Sequence, residues 1–404
     1  MRLDNHSYSP ALLQKIIEAA GRLGSAGQAA IALNLLTPLA ISARHVTRLT
    51  AEIGTELVAQ RDQEVQQRRQ RQLPPRVATP PEVAVVEVDG GRLGTRQPGC
   101  GPGIHQPQPK EDKIACLSSM ASPEHDHDPQ PEPPPSFVET RRVQRLVQQI
   151  KSQSPLRDDE EAAVDASTTA APAPAEPWTG APRPLVRTCV ASMANSRQFG
   201  PLVAAEAQGR NFYAARRAAF VADGQQYNWT IWRGYFRDFE PIVDFLHVLC
   251  YLYLSAYAVG GQEQDRWLRY VRWLRACWQG QVSVVLDELA QASELLGPIP
   301  PGEEGEERDP RRVVREALVY LKNNQSRMDY PRYRRAGLPV TSSLVESLVG
   351  QFNARVKGPQ KYWNRPAGAE PILQVRAAVL SEDDRLARHF AQRPGNPYRR
   401  RKAA

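Results

Sequence analysis

Two apolar runs of strand length each close on an Asp-Gly step, and this pair of runs constrains the fold more than any other feature of the chain. Val83-Ala84-Val85-Val86-Glu87-Val88 leads into Asp89-Gly90-Gly91, and Ala219-Phe220-Val221-Ala222 leads into Asp223-Gly224. Short runs rich in Val and other apolar residues, bounded by turn residues, read as buried strands. Both aspartates are therefore expected at strand ends, with the glycines turning the chain away and leaving the carboxylates open. A third acidic residue, Glu346, lies in Ser342–Phe352, where Leu344, Val345, Leu348, Val349 and Phe352 recur at helical spacing. An Asp-Gly after a strand is commonly only a turn, and a helical Glu is commonly a solvated face. Glu346, however, borders an apolar stripe, and the order strand, strand, helix gives the three residues a joint meaning. Such carboxylates can hold Mg²⁺ or Mn²⁺, hard ions that prefer oxygen ligands. Two ions about 4 Å apart stabilise both the attacking and the leaving oxygen of a phosphodiester.

The rest of the chain is consistent with an α/β protein carrying helical additions. Further strand candidates are Lys113–Ser119, Leu185–Ser192 and Pro241–Val243, with a helix over Phe199–Gly209. Three strands, a helix, a strand, a helix and a strand is the ribonuclease H-like order. The opening strands suggest a hairpin, and the later strand–helix–strand unit implies a parallel pair with a right-handed crossover. Phe245 to about Leu296 reads as an all-helical insertion. Its stripe of Trp267, Tyr270, Trp273, Leu274, Cys277 and Trp278 is expected in a core rather than against bases. A helix over Arg311–Asn323 and the basic residues Arg327, Arg332, Arg334 and Arg335 precede the Glu346 helix.

Before Glu82 the sequence reads as all-helical. Ser9-Pro10, Gly24-Ser25 and Ser42 mark three helix starts. Val46, Leu49 and Ile53 face inward on the third helix, leaving Arg44, His45, Thr47 and Arg48 on its other faces. This fits a helix-turn-helix whose third helix enters a major groove, or else an ordinary three-helix cap with a polar outside. Residues 59–71, dense in Gln, Arg and Glu, read as a solvated helix or connector.

The 404 residues divide accordingly. Residues 1–72 form the helix-turn-helix region and connector, and 73–244 the first part of the core. Residues 245–310 are the insertion, 311–385 the end of the core, and 386–404 a basic tail. The 35 prolines cluster between Gln97 and Pro184. Stretches near 97–110, 120–136 and 154–184 are expected to be mobile loops, flanking a helix over Phe137–Ile150.

A formal charge of +8 and a pI of about 9.3 favour an anionic partner, nucleic acid being the commonest. The five cysteines show neither zinc-type spacing nor a disulfide framework. The scattered cysteines fit a reducing cytoplasm, and Met1–His6 carries no apolar signal segment, so a cytoplasmic protein is expected. The greasiest run, Phe245–Val259, is shorter than a membrane span and carries His247. No phosphate-binding, dinucleotide-binding or serine-nucleophile motif occurs in the right context. His125-Asp126-His127-Asp128 lies in a Pro-rich loop without a metal framework, so only adventitious metal binding is expected there. Asp244 and His247, three apart at a helix start, share a face. They form either an accessory pair near the metals or a buried histidine satisfied by a carboxylate. Arg355, Lys357 and Lys361 follow Glu346 and offer phosphate contacts.

Several motifs taken together resemble the DDE transposases of bacterial insertion sequences. They are Val88-Asp89-Gly90-Gly91-Arg92, Val221-Ala222-Asp223-Gly224 with Trp229 and Trp232, Ile242-Val243-Asp244-Phe245-Leu246-His247, and Thr341-Ser342-Ser343-Leu344-Val345-Glu346 with Asn353 and Arg355. The ISKra-type group, related to the Mutator-like superfamily, is the best fit. The resemblance runs from about Glu82 to Leu380. It implies a metal-dependent enzyme that cuts DNA at inverted-repeat ends and joins those ends to target DNA. Asp89, Asp223 and Glu346 would be catalytic metal ligands for two Mg²⁺ or Mn²⁺ ions, with Asp244 and His247 as the accessory pair. Double-stranded DNA would be the partner, with no membrane, and a homodimer or higher oligomer would assemble on it. A non-catalytic DNA-binding relic or regulator, and a structure-selective nuclease, are the alternatives on the same scaffold.

Overall fold

The computed structural model describes residues 8–38, 40–95, 108–150, 180–300, 309–356, 363 and 366–393. Most of the Pro-rich stretches 97–110 and 154–184, together with Lys357, Lys361, Cys100 and the tail beyond residue 393, lie outside the described residues.

All five strand candidates form. They are β1 (Val83–Thr95), β2 (Gln108–Ala121), β3 (Arg183–Ser192), β4 (Arg217–Ala222) and β5 (Glu240–Val243). They make one mixed sheet in the order β3-β2-β1-β4-β5. β1–β2 and β2–β3 are antiparallel, whereas β1–β4 and β4–β5 are parallel. The crossovers are α5 (Ser196–Gly209), between β3 and β4, and α6 (Gln226–Tyr235), between β4 and β5. One expectation fails at β1. Gly90 and Gly91 do not turn the chain; they stay paired with Lys113 and Asp112, so Asp89 sits within a long hairpin opposite Ile114. The antiparallel ladder with β2 runs on through both glycines, and that outweighs their turn preference.

The segment expected as a helical insertion forms α7 (Phe245–Ala258), α8 (Glu263–Trp278) and α9 (Val282–Leu296), and α10 (Pro310–Asn324) and α11 (Tyr330–Arg335) follow it. Its aromatic stripe is core: Tyr270, Trp273, Leu274, Cys277 and Trp278 are buried. Among the described residues no helix is long and apolar enough to cross a membrane. The Phe245–Val259 run is mainly the buried helix α7.

Residues 122–137 are not the loose loop that their Pro content suggests. The buried guanidinium of Arg334 holds Asp128, with Nε donating at 2.8 Å, and stacks on Trp278 at 4.2 Å. Trp278 Nε1 donates to Gln130 O at 2.8 Å, and Tyr270 donates to Phe137 O at 2.8 Å. The segment straps the end of β2 to the insertion and leads into α4 (Thr140–Ile150), which packs on α7. Asp128 of the His-Asp-His-Asp run is thus a structural ion-pair partner.

The amino-terminal helices begin where their serine caps lie: α1 (Pro10–Arg22), α2 (Ala26–Leu36) and α3 (Ala43–Arg69). Ser9, Ser25 and Ser42 each accept a backbone N–H of the first turn. The segment read as a solvated helix or a connector is a largely exposed helix, the continuation of α3. These helices do not close a core of their own. They share one with α12 (Ser343–Val356), α13 (Pro366–Leu380), α14 (Arg385–Gln392) and the sheet face bearing Ile114, Cys116, Cys189 and Ala191. α5, α7 and the other insertion helices join the second core, which takes Val86, Val88, Ala115 and Leu117. α13 also blunts the edge strand β3: Cys189 N donates to Ser381 Oγ, Met193 N to Glu370 Oε2 and Gln374 Nε2 to Ala191 O. A covered edge cannot recruit a foreign strand.

α3 crosses α13 at Gly54, where an added Cβ would collide with the Pro371 carbonyl. Gly54→Ala should therefore cost about 1–3 kcal/mol through overpacking. Gly350→Ala, on a helix with nothing within 4 Å of the new methyl, should instead stabilise by about 0.4–1 kcal/mol. Urea denaturation midpoints of the two variants should move in opposite directions; a shared direction would contradict the close crossing.

Candidate metal-carboxylate site

The parallel register builds the site. Val88 pairs with Ala222 and Ala222 with Val243, so Asp89, Asp223 and Asp244 are the next residues on three neighbouring strands. Neighbouring strands lie about 4.8 Å apart, and residues opposite one another share a face. The three aspartates therefore form a row where the parallel pairing of β1, β4 and β5 ends, the edge at which open α/β sheets bind ligands. The Asp244 N–H donates to Ala222 O at 2.8 Å and holds the row in register.

Asp223 is oriented by its own turn. Oδ1 accepts from Gln225 N at 2.9 Å and from Asn228 Nδ2 at 2.8 Å. Gly224 follows at φ +90°, with Tyr320 against it where a side chain would stand. Tyr320 donates to Asp223 O at 2.8 Å, and Trp229 Nε1 reaches Gly224 O at 3.2 Å and Asn324 Oδ1 at 3.0 Å. α10 and α6 thus lock the turn, and among the described residues Asp223 Oδ2 has no hydrogen-bond partner. Asp89 Oδ1 accepts from Gly90 N at 2.7 Å, and among the described residues its Oδ2 has no hydrogen-bond partner either.

Two buried acids bring α12 to this row. Glu87, on the same face of β1 as Asp89, accepts the Val345 N–H on Oε2 at 2.8 Å. Asp244 accepts the Ser342 N–H on Oδ1 at 2.9 Å. Carboxylates on the free N–H groups of a helix start are favoured by both hydrogen bonding and the helix dipole. Val345, Leu348, Phe352 and Val356 bury the opposing stripe. The Glu346 backbone therefore sits in the first turn of a helix anchored beside Asp89 and Asp244; its side chain lies outside the described residues.

Asp244 and His247 pair directly, Oδ2 to Nδ1, at 2.6 Å. Asp244 also caps α7 by accepting from Leu246 N at 3.1 Å. With both oxygens engaged it is a positioning group, and the imidazole it holds lies within electrostatic reach of Asp89. Burial would raise the Asp244 carboxyl, but the bonds from His247 and Ser342 outweigh it and hold it below its ordinary value.

The neighbours are electrostatically strained. Burial pushes Asp89 up to about 6; His247 opposes this, and the charges of Asp223 and Asp244 add to it. Burial pushes Glu87 up to about 8, against the Val345 N–H and with help from Asp244. An all-oxygen set in which the charges of Asp223 and Asp244 add to the raising of Asp89 fits a hard divalent cation. Among the described residues no three His, Cys, Asp or Glu side chains are grouped closely enough to hold an ion. The Glu346 side chain does not enter that statement.

Sequence reading missed several residues here. Glu87 looked like one polar residue in an apolar run; i, i+2 alternation with Asp89 was the available signal. Tyr227 and Lys113 stand beside the row, the ammonium 3.9 Å from the ring centroid and 2.8 Å from Glu111 Oε1. Burial and the charges of Asp223, Glu111 and Asp89 raise the Tyr227 hydroxyl. Asn228, Tyr320 and Asn324 carried no signal in the sequence.

Of the residues expected to bind DNA, Arg44, Thr47 and Arg48 are exposed on α3 and His45 is half-buried. Arg48 Nη2 lies 2.9 Å from His45 Nδ1. Arg355 Nε donates to Ala20 O at 2.9 Å, tying α12 to α1. No known family matches the chain, and no curated protein is similar to it in sequence.

Both raised acids bind protons more tightly when folded. Between about pH 4 and 8 the folded state holds more protons than the unfolded chain, so their contribution to stability falls as pH rises. In the absence of metal, the stability gap between Glu87→Gln and the parent should shift toward the variant from about pH 5 to about pH 8. Urea unfolding across that range tests this; a gap that shifts toward the parent would contradict the buried, protonated Glu87.

Proposed function

We propose that the chain is a DDE-type transposase with a ribonuclease H-like catalytic domain. In this reading it cleaves DNA at the inverted-repeat ends of an element and joins them to target DNA. The observation that carries this reading is the alignment of Asp89 and Asp223, with the first turn of α12, which bears Glu346, anchored on Glu87 and Asp244. The sheet order β3-β2-β1-β4-β5 supports the ribonuclease H-like assignment.

Asp89, Asp223 and Glu346 would hold the divalent ions, which supply a reactive water or hydroxyl and stabilise the leaving oxygen when bound. The chain's own residues do the rest. The Asp223 turn, locked by Tyr320 and Asn228, presents one free carboxylate oxygen. Asp244 fixes the His247 tautomer and draws α7 and α12 against the row. Arg44, His45, Thr47 and Arg48 would read the ends from the outer face of α3, with Arg355, Lys357 and Lys361 as candidate backbone contacts. Two-ended chemistry calls for a dimer or larger assembly on DNA.

Purified protein with element-end DNA and Mg²⁺ or Mn²⁺ is expected to give cleaved and joined products. Asp89→Asn, Asp223→Asn and Glu346→Gln should each lower cleavage by about three orders of magnitude or more. His247→Ala should lower it by about 10–100-fold, as for loss of a group that orients metal ligands. Equal cutting by parent and trio variants would remove the assignment. Cutting of branched DNA without joining would favour a nuclease, and tight end binding without breakage a regulator.

A further inference from the structure

Several arginines around the sheet and the helices beside it have an acidic partner. Arg332 is paired with Glu240, Arg334 with Asp128, Arg217 with Glu82, and Arg311 with Asp309. Arg327 is different. Its guanidinium carbon lies 4.4 Å from the centroid of the buried Trp229 ring. Its hydrogen bonds go to Asn323 O at 3.2 Å and, at the limit, to Asn324 Oδ1 at 3.5 Å. Among the described residues it forms no ion pair. Its near neighbour in charge is another cation, Arg233 on α6, whose side chain reaches only Thr230 Oγ1 at 3.5 Å and also has no ion pair among the described residues. Burial and the Arg233 charge both hold the Arg327 guanidinium below its ordinary value.

Arg233 stands one turn after Trp229 on α6, on the side of the helix that bears the ring under Arg327, so an anion there could be held by both guanidinium groups. Its location narrows the anion. The indole that carries Arg327 donates to Gly224 O, the residue after Asp223, and to Asn324, which packs on the same turn. The cations therefore stand behind the Asp223 turn, one side chain removed from the carboxylate row. Arginine forks match phosphate oxygens.

We propose that Arg233 and Arg327 form a phosphate-binding site for the DNA backbone flanking the scissile bond, with the Trp229 ring as the platform that holds Arg327 in place. This rests on the DNA-cleaving reading above, but its test needs neither metal nor cleavage. Contacts of this kind act on affinity without regard to base sequence.

Binding of labelled DNA duplexes of two unrelated sequences is measured by fluorescence anisotropy in EDTA, across about 50–200 mM salt. Arg233→Gln and Arg327→Gln should each reduce the slope of log affinity against log salt by about 0.9, equally for both duplexes. Arg327→Lys, which keeps the charge, should keep the parent slope. Arg216→Gln, at an exposed arginine paired with Glu124, should not change it. Parent binding with unchanged slopes in both Gln variants would overturn this site and leave the cleavage reading standing. Absence of duplex binding by the parent would overturn both. Arg233 is exposed, so its variant remains informative even if Arg327→Gln unfolds.

Discussion

The arrangement depends on two buried acidic side chains that receive N–H groups at the start of α12. Glu87 takes Val345 and Asp244 takes Ser342. Leaving a buried acid unpaired is costly, and leaving helix N–H groups unpaired at a buried end is costly as well. Each problem solves the other. Because Glu87 is on β1 and Asp244 follows β5, the helix start spans the same edge of the sheet on which Asp89 and Asp223 stand. A sheet register and two hydrogen bonds thus convert residues separated by more than two hundred positions into neighbours.

Rigidity around that edge is unevenly distributed. The Asp223 turn is held from below by Trp229 and Asn324 and from the side by Tyr320, and Gly224 permits the positive φ that the turn needs. The strap through Asp128 and Arg334 fixes the insertion helices to β2, and α13 seals the opposite edge at β3. The amino-terminal helices share their core with α12 and α13. A displacement of α3, such as DNA bound there in the proposed reading would cause, would therefore be felt by the helix that carries Glu346. Coupling of this sort needs a shared packed element, and the Gly54–Pro371 crossing and the Arg355–Ala20 bond supply it.

Much of the fold was legible because burial writes itself into local pattern. Val83–Val88, Leu185–Ser192 and Ala218–Ala222 are apolar enough to be strands and nothing else, and Ser9, Ser25 and Ser42 announce their helices. What escaped depended on partners distant in sequence. Gly90 and Gly91 stay extended because β2 pairs with them, which the Gly-Gly step itself does not reveal. The Pro-rich segment around Asp128 is ordered by Arg334, which sits 206 residues away. At the site, Asp89, Asp223 and the Asp244–His247 pair could be named from motif and spacing. Tyr320 and Asn324 could not, because their roles follow from packing against the Asp223 turn, some hundred residues away in the chain.

The central claim is that Asp89, Asp223 and Glu346 converge on shared divalent ions. The most direct test is a crystal structure of the protein soaked with Mn²⁺, with the ions located by their anomalous signal. The account predicts peaks about 2.1 Å from carboxylate oxygens of Asp89 and Asp223, with the Glu346 carboxylate completing the coordination. Ions bound elsewhere, or Glu346 turned away from occupied aspartates, would contradict it.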